Sequence, residues 1–139
     1  MTVLPASVLI LALAVPTHAE SSKPESPSAA GRRDASNFKD MVLSICISRS
    51  YQDNVEVSGD AASTARALIE WTRYDAEKAP DEIEHLVAAY LQRDYSNPIA
   101  DDAKRTSRFN LLKCLDLYHS AELERLTRRV VPTPQNRHK

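Results

Sequence analysis

Cys114, Asp116 and His119 place a thiol, a carboxylate and an imidazole in one short stretch, F-N-L-L-K-C-L-D-L-Y-H-S at residues 109–120. A cysteine beside a histidine base is the minimal unit of thiol nucleophilic catalysis, because the base takes the proton and leaves a thiolate. The spacing argues against that use. Within one helix, residues five apart point about 140° from each other, so Cys114 and His119 do not face one another. The surrounding leucines also raise a thiol pKa instead of lowering it. The only other cysteine is Cys46. In an exported domain the pair is most simply a disulfide. In a reducing compartment two free buried thiols are the default. Asp116 and His119 are three apart and can pair on a helix, or Asp116 can be a polar group that fixes packing.

Glu82, Glu84 and His85 have the chemistry of metal ligands. Neither H-E-x-x-H nor a close His/Cys pair accompanies them, and a first helical turn of that composition reads as a solvated face. The sequence has no Gly-rich phosphate loop and no G-x-S-x-G. Arg125, Arg128 and Arg129 suit the wet face and C-terminal end of a last helix. The residues thus define no catalytic set, metal site or cofactor motif. A net charge of −1 lacks the basic excess expected of a nucleic-acid surface. The composition favours a protein that binds over one that transforms a substrate.

The elements that position these residues read as helices. No strand pattern emerges, and glycine occurs only twice. Phe38, Met41, Val42 and Ile45 follow helical spacing over 37–51, with Cys46 at the edge of that face and Asp34 or Ser36 near the cap. A second helix is predicted from Ser58 or Asp60 to about residue 76, with Ala61, Ala65, Leu68, Ile69 and Thr72 inward. Trp71 and Tyr74 give it a second apolar face, for the domain interior or for a protein interface. Pro80 opens a third helix, which runs to about Arg93 with Asp81, Glu82 and Glu84 at its positive end. Residues 94–98, D-Y-S-N-P, form a turn, with Asn97 as the next cap. The stretch at 106–119 is apolar around most of its circumference and is expected to be a buried central helix. Ser120 caps a last helix, stopped by Pro132 and Pro134. The expected fold is all-α: a single compact domain of about five helices at residues 36–131.

The flanks differ. Residues 1–19 hold no Asp, Glu, Lys or Arg. An apolar run there ends in a small-x-small pattern, which predicts a cleavable secretory signal cut after Ala19. No Lys or Arg precedes the run, a departure from the usual layout. A buried N-terminal helix is the alternative. Residues 20–35 read as a disordered Ser/Pro-rich tether and 132–139 as a frayed tail. No later segment is long and apolar enough to cross a membrane, so none is expected in the mature form.

Four blocks in order resemble one family. They are F-K-D-M-V-L-S-I-C-I-S-R-S-Y at 38–51, S-T-A-x-A-L-x-E-W-T at 63–72, Y-L-x-R-D-Y-x-N-P at 90–98 and L-L-K-C-L-D-L-Y-H-S at 111–120. Together they are similar to the type VI secretion amidase immunity proteins. That resemblance implies a periplasmic, helical, homodimeric protein. It would bind a cognate papain-like cysteine amidase that cuts peptidoglycan, block its active-site groove and protect the producing cell. Both family cysteines are present as Cys46 and Cys114. The expected contact is Asp81, Glu82 and Glu84 with the turn Arg93, Asp94, Tyr95 and Asn97. Turn chemistry alone also explains Asp94 and Asn97, with Tyr95 half-buried. A periplasmic helical adaptor unrelated to toxins shares every compositional feature. A small hydrolase using Cys114 is a further alternative.

Overall fold

The computed structural model describes residues 25–95 and 108–132. The predicted signal, Asn97, Pro98 and the tail from 133 onward lie outside the described residues. Within them all regular structure is helical. A 3-10 turn, Ser28–Gly31, precedes α1 (Asp34–Ser50), α2 (Val55–Glu70), α3 (Ala79–Leu91), α4 (Asn110–Tyr118) and α5 (Ala121–Val130). No strand occurs among the described residues.

The helix at the centre is α1, not α4. α1 touches each of the other four helices. Phe38, Met41, Val42 and Cys46 are fully or almost fully buried along it. By contrast, Leu111, Leu112 and Leu115 of α4 are 47%, 46% and 37% exposed. The expectation of a buried central helix at 106–119 is therefore corrected. α4 is a short surface helix that buries one stripe, Lys113, Cys114 and Leu117, as an amphipathic helix does. A disulfide joins Cys46 to Cys114 with Cα atoms 5.7 Å apart and so fastens α4 to the hub.

Local chemistry moves several boundaries. α2 begins before Ser58 because the Asn54 side chain accepts from the Val57 amide at 3.0 Å, which satisfies an end donor of the helix. Ser48 and Ser58 exchange hydroxyl-to-carbonyl bonds of 3.0 Å, locking α1 to α2. α2 stops at Glu70, short of residue 76. Beyond it, Asp75 accepts from the Glu77 and Lys78 amides, each at 3.2 Å, and builds a turn that competes with the helix. The Asp75 amide donates to the Val130 carbonyl at 2.8 Å, tying this loop to the end of α5. Ser120 caps α5 as its sequence indicates, accepting from the Leu123 amide at 3.0 Å. Inside the stretch expected as a tether, the 3-10 turn buries Ala29, whose carbonyl accepts from Asn37 Nδ2 at 2.8 Å. Phe109 enters α4 with φ 49°, a left-handed conformation uncommon for a non-glycine residue. Of the predicted α2 stripe, Ala61, Ala65, Leu68 and Thr72 are buried, and Ile69 is 44% exposed. Trp71 and Tyr74 pack against the core, with the Tyr74 ring 5.6 Å from that of Phe38.

Candidate partner-binding surfaces

The residues with catalytic chemistry are engaged separately. Cys114 is fully buried and its sulfur is spent in the disulfide, so it offers no thiol nucleophile. His119 is an exposed residue at the C-cap of α4. Asp116 pairs with Tyr95, not with His119, accepting from the phenol at 2.5 Å. Glu82 bonds Arg129 of α5 and Glu84 bonds Arg49 of α1, while His85 points to solvent between them. These two carboxylates latch α3 to its neighbours on both sides. Among the described residues no three metal-ligating side chains gather.

The turn after α3 is a braced structure. The Arg93 guanidinium lies 3.5 Å over the Tyr90 ring. Tyr90 is buried, and its hydroxyl donates to Glu122 of α5 at 3.2 Å. Lys113 of α4 donates to the Leu91 carbonyl at 3.0 Å and sits 5.8 Å from the centre of the Tyr95 ring. The hydrogen bond to Asp116, aided by burial, raises the Tyr95 phenol above its ordinary pKa. Glu122 is held below the usual carboxylate range by a bond to its own backbone amide and then by the Tyr90 hydroxyl. Half-buried Tyr95 is thus fixed, while Arg93 and Asp94 stay exposed.

The two halves of the expected contact are not one cluster. Asp81 and Arg93 are at opposite ends of α3, which at 1.5 Å per residue puts them about 18 Å apart. Asp81, His85 and Ala89 recur every four residues along α3 and are exposed, while Arg93, also exposed, follows the helix end and is turned about 120° from Asp81 by helical geometry.

One surface escaped the sequence reading. Leu111, Leu112 and Leu115, together with Tyr51 and Phe109, line a shallow groove of about 500 Å³. Single exposed apolar residues are ordinary, but three leucines on a nine-residue helix form a patch. The signal was the run of leucines itself. Taking that helix as buried on all sides hid it.

Residues 36–127 match the family model described as "Type VI secretion system (T6SS), amidase immunity protein", named Tai4. The chain belongs to this family. No curated relative matches it. Solved structures are similar as well, among them the following two. A chain from work on new type VI-secreted toxins and self-resistance proteins in Serratia marcescens is 27% identical with TM-score 0.69, covering 83% of this chain and 90% of its own. A chain from the Tae4/Tai4 effector–immunity system of Salmonella typhimurium, in its selenomethionine variant, is 28% identical with TM-score 0.64, covering 76% and 96%. The family match begins at residue 36 and ends within α5, so it takes in all five helices and both cysteines.

Proposed function

We propose that this protein is exported to the periplasm and there binds a cognate type VI secreted cysteine amidase, covering its active-site groove. The observation that carries this reading is the family match across residues 36–127. The Salmonella structure is that of an effector–immunity system, which supports an amidase effector as the partner here. The disulfide fits an oxidising compartment. Among the described residues no helix is long and apolar enough to cross a membrane.

Inhibition of this kind needs shape and not chemistry. A surface that is already rigid loses little entropy on docking. The Arg93–Tyr95 turn meets that requirement, held by Asp116, Lys113 and the Tyr90 ring. Arginine and tyrosine are also the residue types that most often anchor interfaces. A partner lying along the exposed edge of α3 meets this turn at one end and the acidic first turn, Asp81 with Glu82 and Glu84, at the other. Asn97, outside the described residues, follows Tyr95 two positions later in the sequence. A standard interface of about 800 Å² per side easily spans such an edge. The protein acts as a homodimer in this reading, with the leucine face of α4 as the self-association surface.

The test is inhibition of the purified effector amidase by Arg93→Glu/Tyr95→Ala and by Asp81→Lys. About tenfold weaker inhibition or more is expected when a central anchor is lost. Unchanged inhibition by folded variants removes α3 as the contact. Sedimentation of Leu111→Glu/Leu115→Glu checks the dimer: a monomer is expected, and an intact dimer places the self-association surface elsewhere.

A further inference from the structure

A second groove, of about 840 Å³, opens on the side of the molecule where α1 begins, between the loop after α2 and the outer face of α5. Its walls carry Arg32, Arg33, Lys39, Arg73 and Arg128, with Trp71 among them. Two carboxylates, Asp34 and Glu124, also line it, and Asp40 pairs with Arg32. Glu124 is shared between Lys39 at 3.5 Å and Arg128 at 3.3 Å. Asp34 is taken by Arg73 at 2.9 Å. Arg33 is exposed and makes no ion pair among the described residues. Five cations against three carboxylates leave the groove positive, in a chain whose net charge is −1.

The other grooves carry less: the neighbouring one at the end of α5 sets Arg73 and Arg129 against Asp75. The groove beside α2 has Glu56 and Asp60 and no cation. The one between α3 and α5 balances Glu82 and Glu122 with Arg125 and Arg129. The leucine groove carries Arg108 alone. The cationic groove therefore has the greatest positive excess of these grooves and the greatest volume among them. Its cations are within reach of solvent: the side chains of Arg73 and Arg128 are 78% and 65% exposed. Their present ion pairs are rim pairs of small net worth, so an incoming carboxylate can replace them at little cost. Arg guanidinium groups fit carboxylates bidentately, and a half-buried Trp ring offers a flat apolar wall to peptide backbone.

We propose that this groove binds an acidic peptide segment of a protein partner, its side-chain carboxylates paired by Arg33, Arg73 and Arg128. The site is separate from the α3 edge and stands whether or not that edge is the effector contact. Trp71 is the only tryptophan of the chain, so its emission reports on the groove directly.

The probe is a capped hexaglutamate peptide titrated into the full chain and followed by Trp71 fluorescence and by calorimetry. A saturable change is expected with hexaglutamate and none with capped hexalysine. Because the pairs are exposed, affinity falls steeply between low and high salt. Arg33→Glu/Arg128→Glu is expected to weaken binding about tenfold or more, with the circular dichroism spectrum unchanged, while Arg33→Lys/Arg128→Lys retains most of it. Three outcomes overturn the proposal: no binding of hexaglutamate, equal binding by the charge-reversed variant, or binding of a soluble muropeptide in place of hexaglutamate. Amidase inhibition by the same variants separates this site from the effector contact. Weakened peptide binding with full inhibition leaves the two independent, as the geometry assigns them.

Discussion

Opening the Cys46–Cys114 bridge is expected to remove about 4 kcal/mol of stability. The bridge joins residues 68 apart in sequence. In the chain-entropy account, closing a loop of that length lowers the entropy of the unfolded ensemble by about 14–15 cal/mol/K, or about 4 kcal/mol at 25 °C. A domain of this size has about 5–15 kcal/mol in total, so the bridge accounts for a large share. Reduction is the cleaner perturbation than replacement by alanine. Both sulfurs are fully buried, so alanines add cavities, whereas reduction leaves the packing volume almost unchanged. The assay is urea unfolding followed by circular dichroism, oxidised against reduced, with alkylation and mass spectrometry confirming the thiol state. The midpoint falls on reduction, and the melting temperature drops by about 15–30 °C. A difference below about 1 kcal/mol would refute the reasoning, because the loop would then be constrained by something other than the bridge. The functional consequence follows from α4. Its Lys113 and Asp116 hold Leu91 and Tyr95, so an unfastened α4 loosens the turn after α3. Reduced protein is expected to inhibit less well than oxidised protein.

Leu117 is fully buried beneath α4, and Leu117→Ala is expected to cost about 2–5 kcal/mol in urea unfolding. Tyr90→Phe removes the hydroxyl donated to Glu122 and should cost about 1 kcal/mol. The same variant should raise the Glu122 pKa part of the way back to the ordinary carboxylate range, read by NMR titration, since the backbone bond remains. Stability should fall at both pH extremes. Asp75, depressed chiefly by its bond to Lys78, and Glu122 contribute stability that is present above the ordinary carboxylate pKa and lost as pH drops through their lowered values. Tyr95 and Tyr118 are raised, by Asp116 and by burial respectively, so their contribution is complete below about pH 10 and lost as pH rises beyond it. Melting temperatures measured across the range should show both declines; a flat acid limb would exclude the carboxylate contribution.

The all-α class was readable because helical spacing is strong over Phe38, Met41, Val42 and Ile45 and again over Ile83, Val87 and Tyr90, and because Ser120 and Pro80 mark helix starts by local chemistry. The boundaries that moved depend on single side chains with more than one option. Asn54 can sit in a connector or cap a helix, and here it caps. Asp75 can continue a helix or fold back on two amides, and here it folds back. The role of α4 was misread because leucine content reports apolar area and not which side a neighbour covers. The disulfide was readable from two cysteines and a predicted export signal. The bracing of Tyr95 by Asp116 was not, since it joins residues that sequence spacing alone does not pair. The cationic groove was equally hidden: Arg33, Arg73 and Arg128 come from three separate segments.

The central claim is inhibition of an amidase by binding. The direct measurement is peptidoglycan hydrolysis by the purified cognate type VI effector as the oxidised protein is titrated in. Activity should fall linearly to near zero at a fixed molar ratio, with the complex recovered intact by size exclusion. Full hydrolysis in the presence of a large excess of folded, oxidised protein would contradict the account.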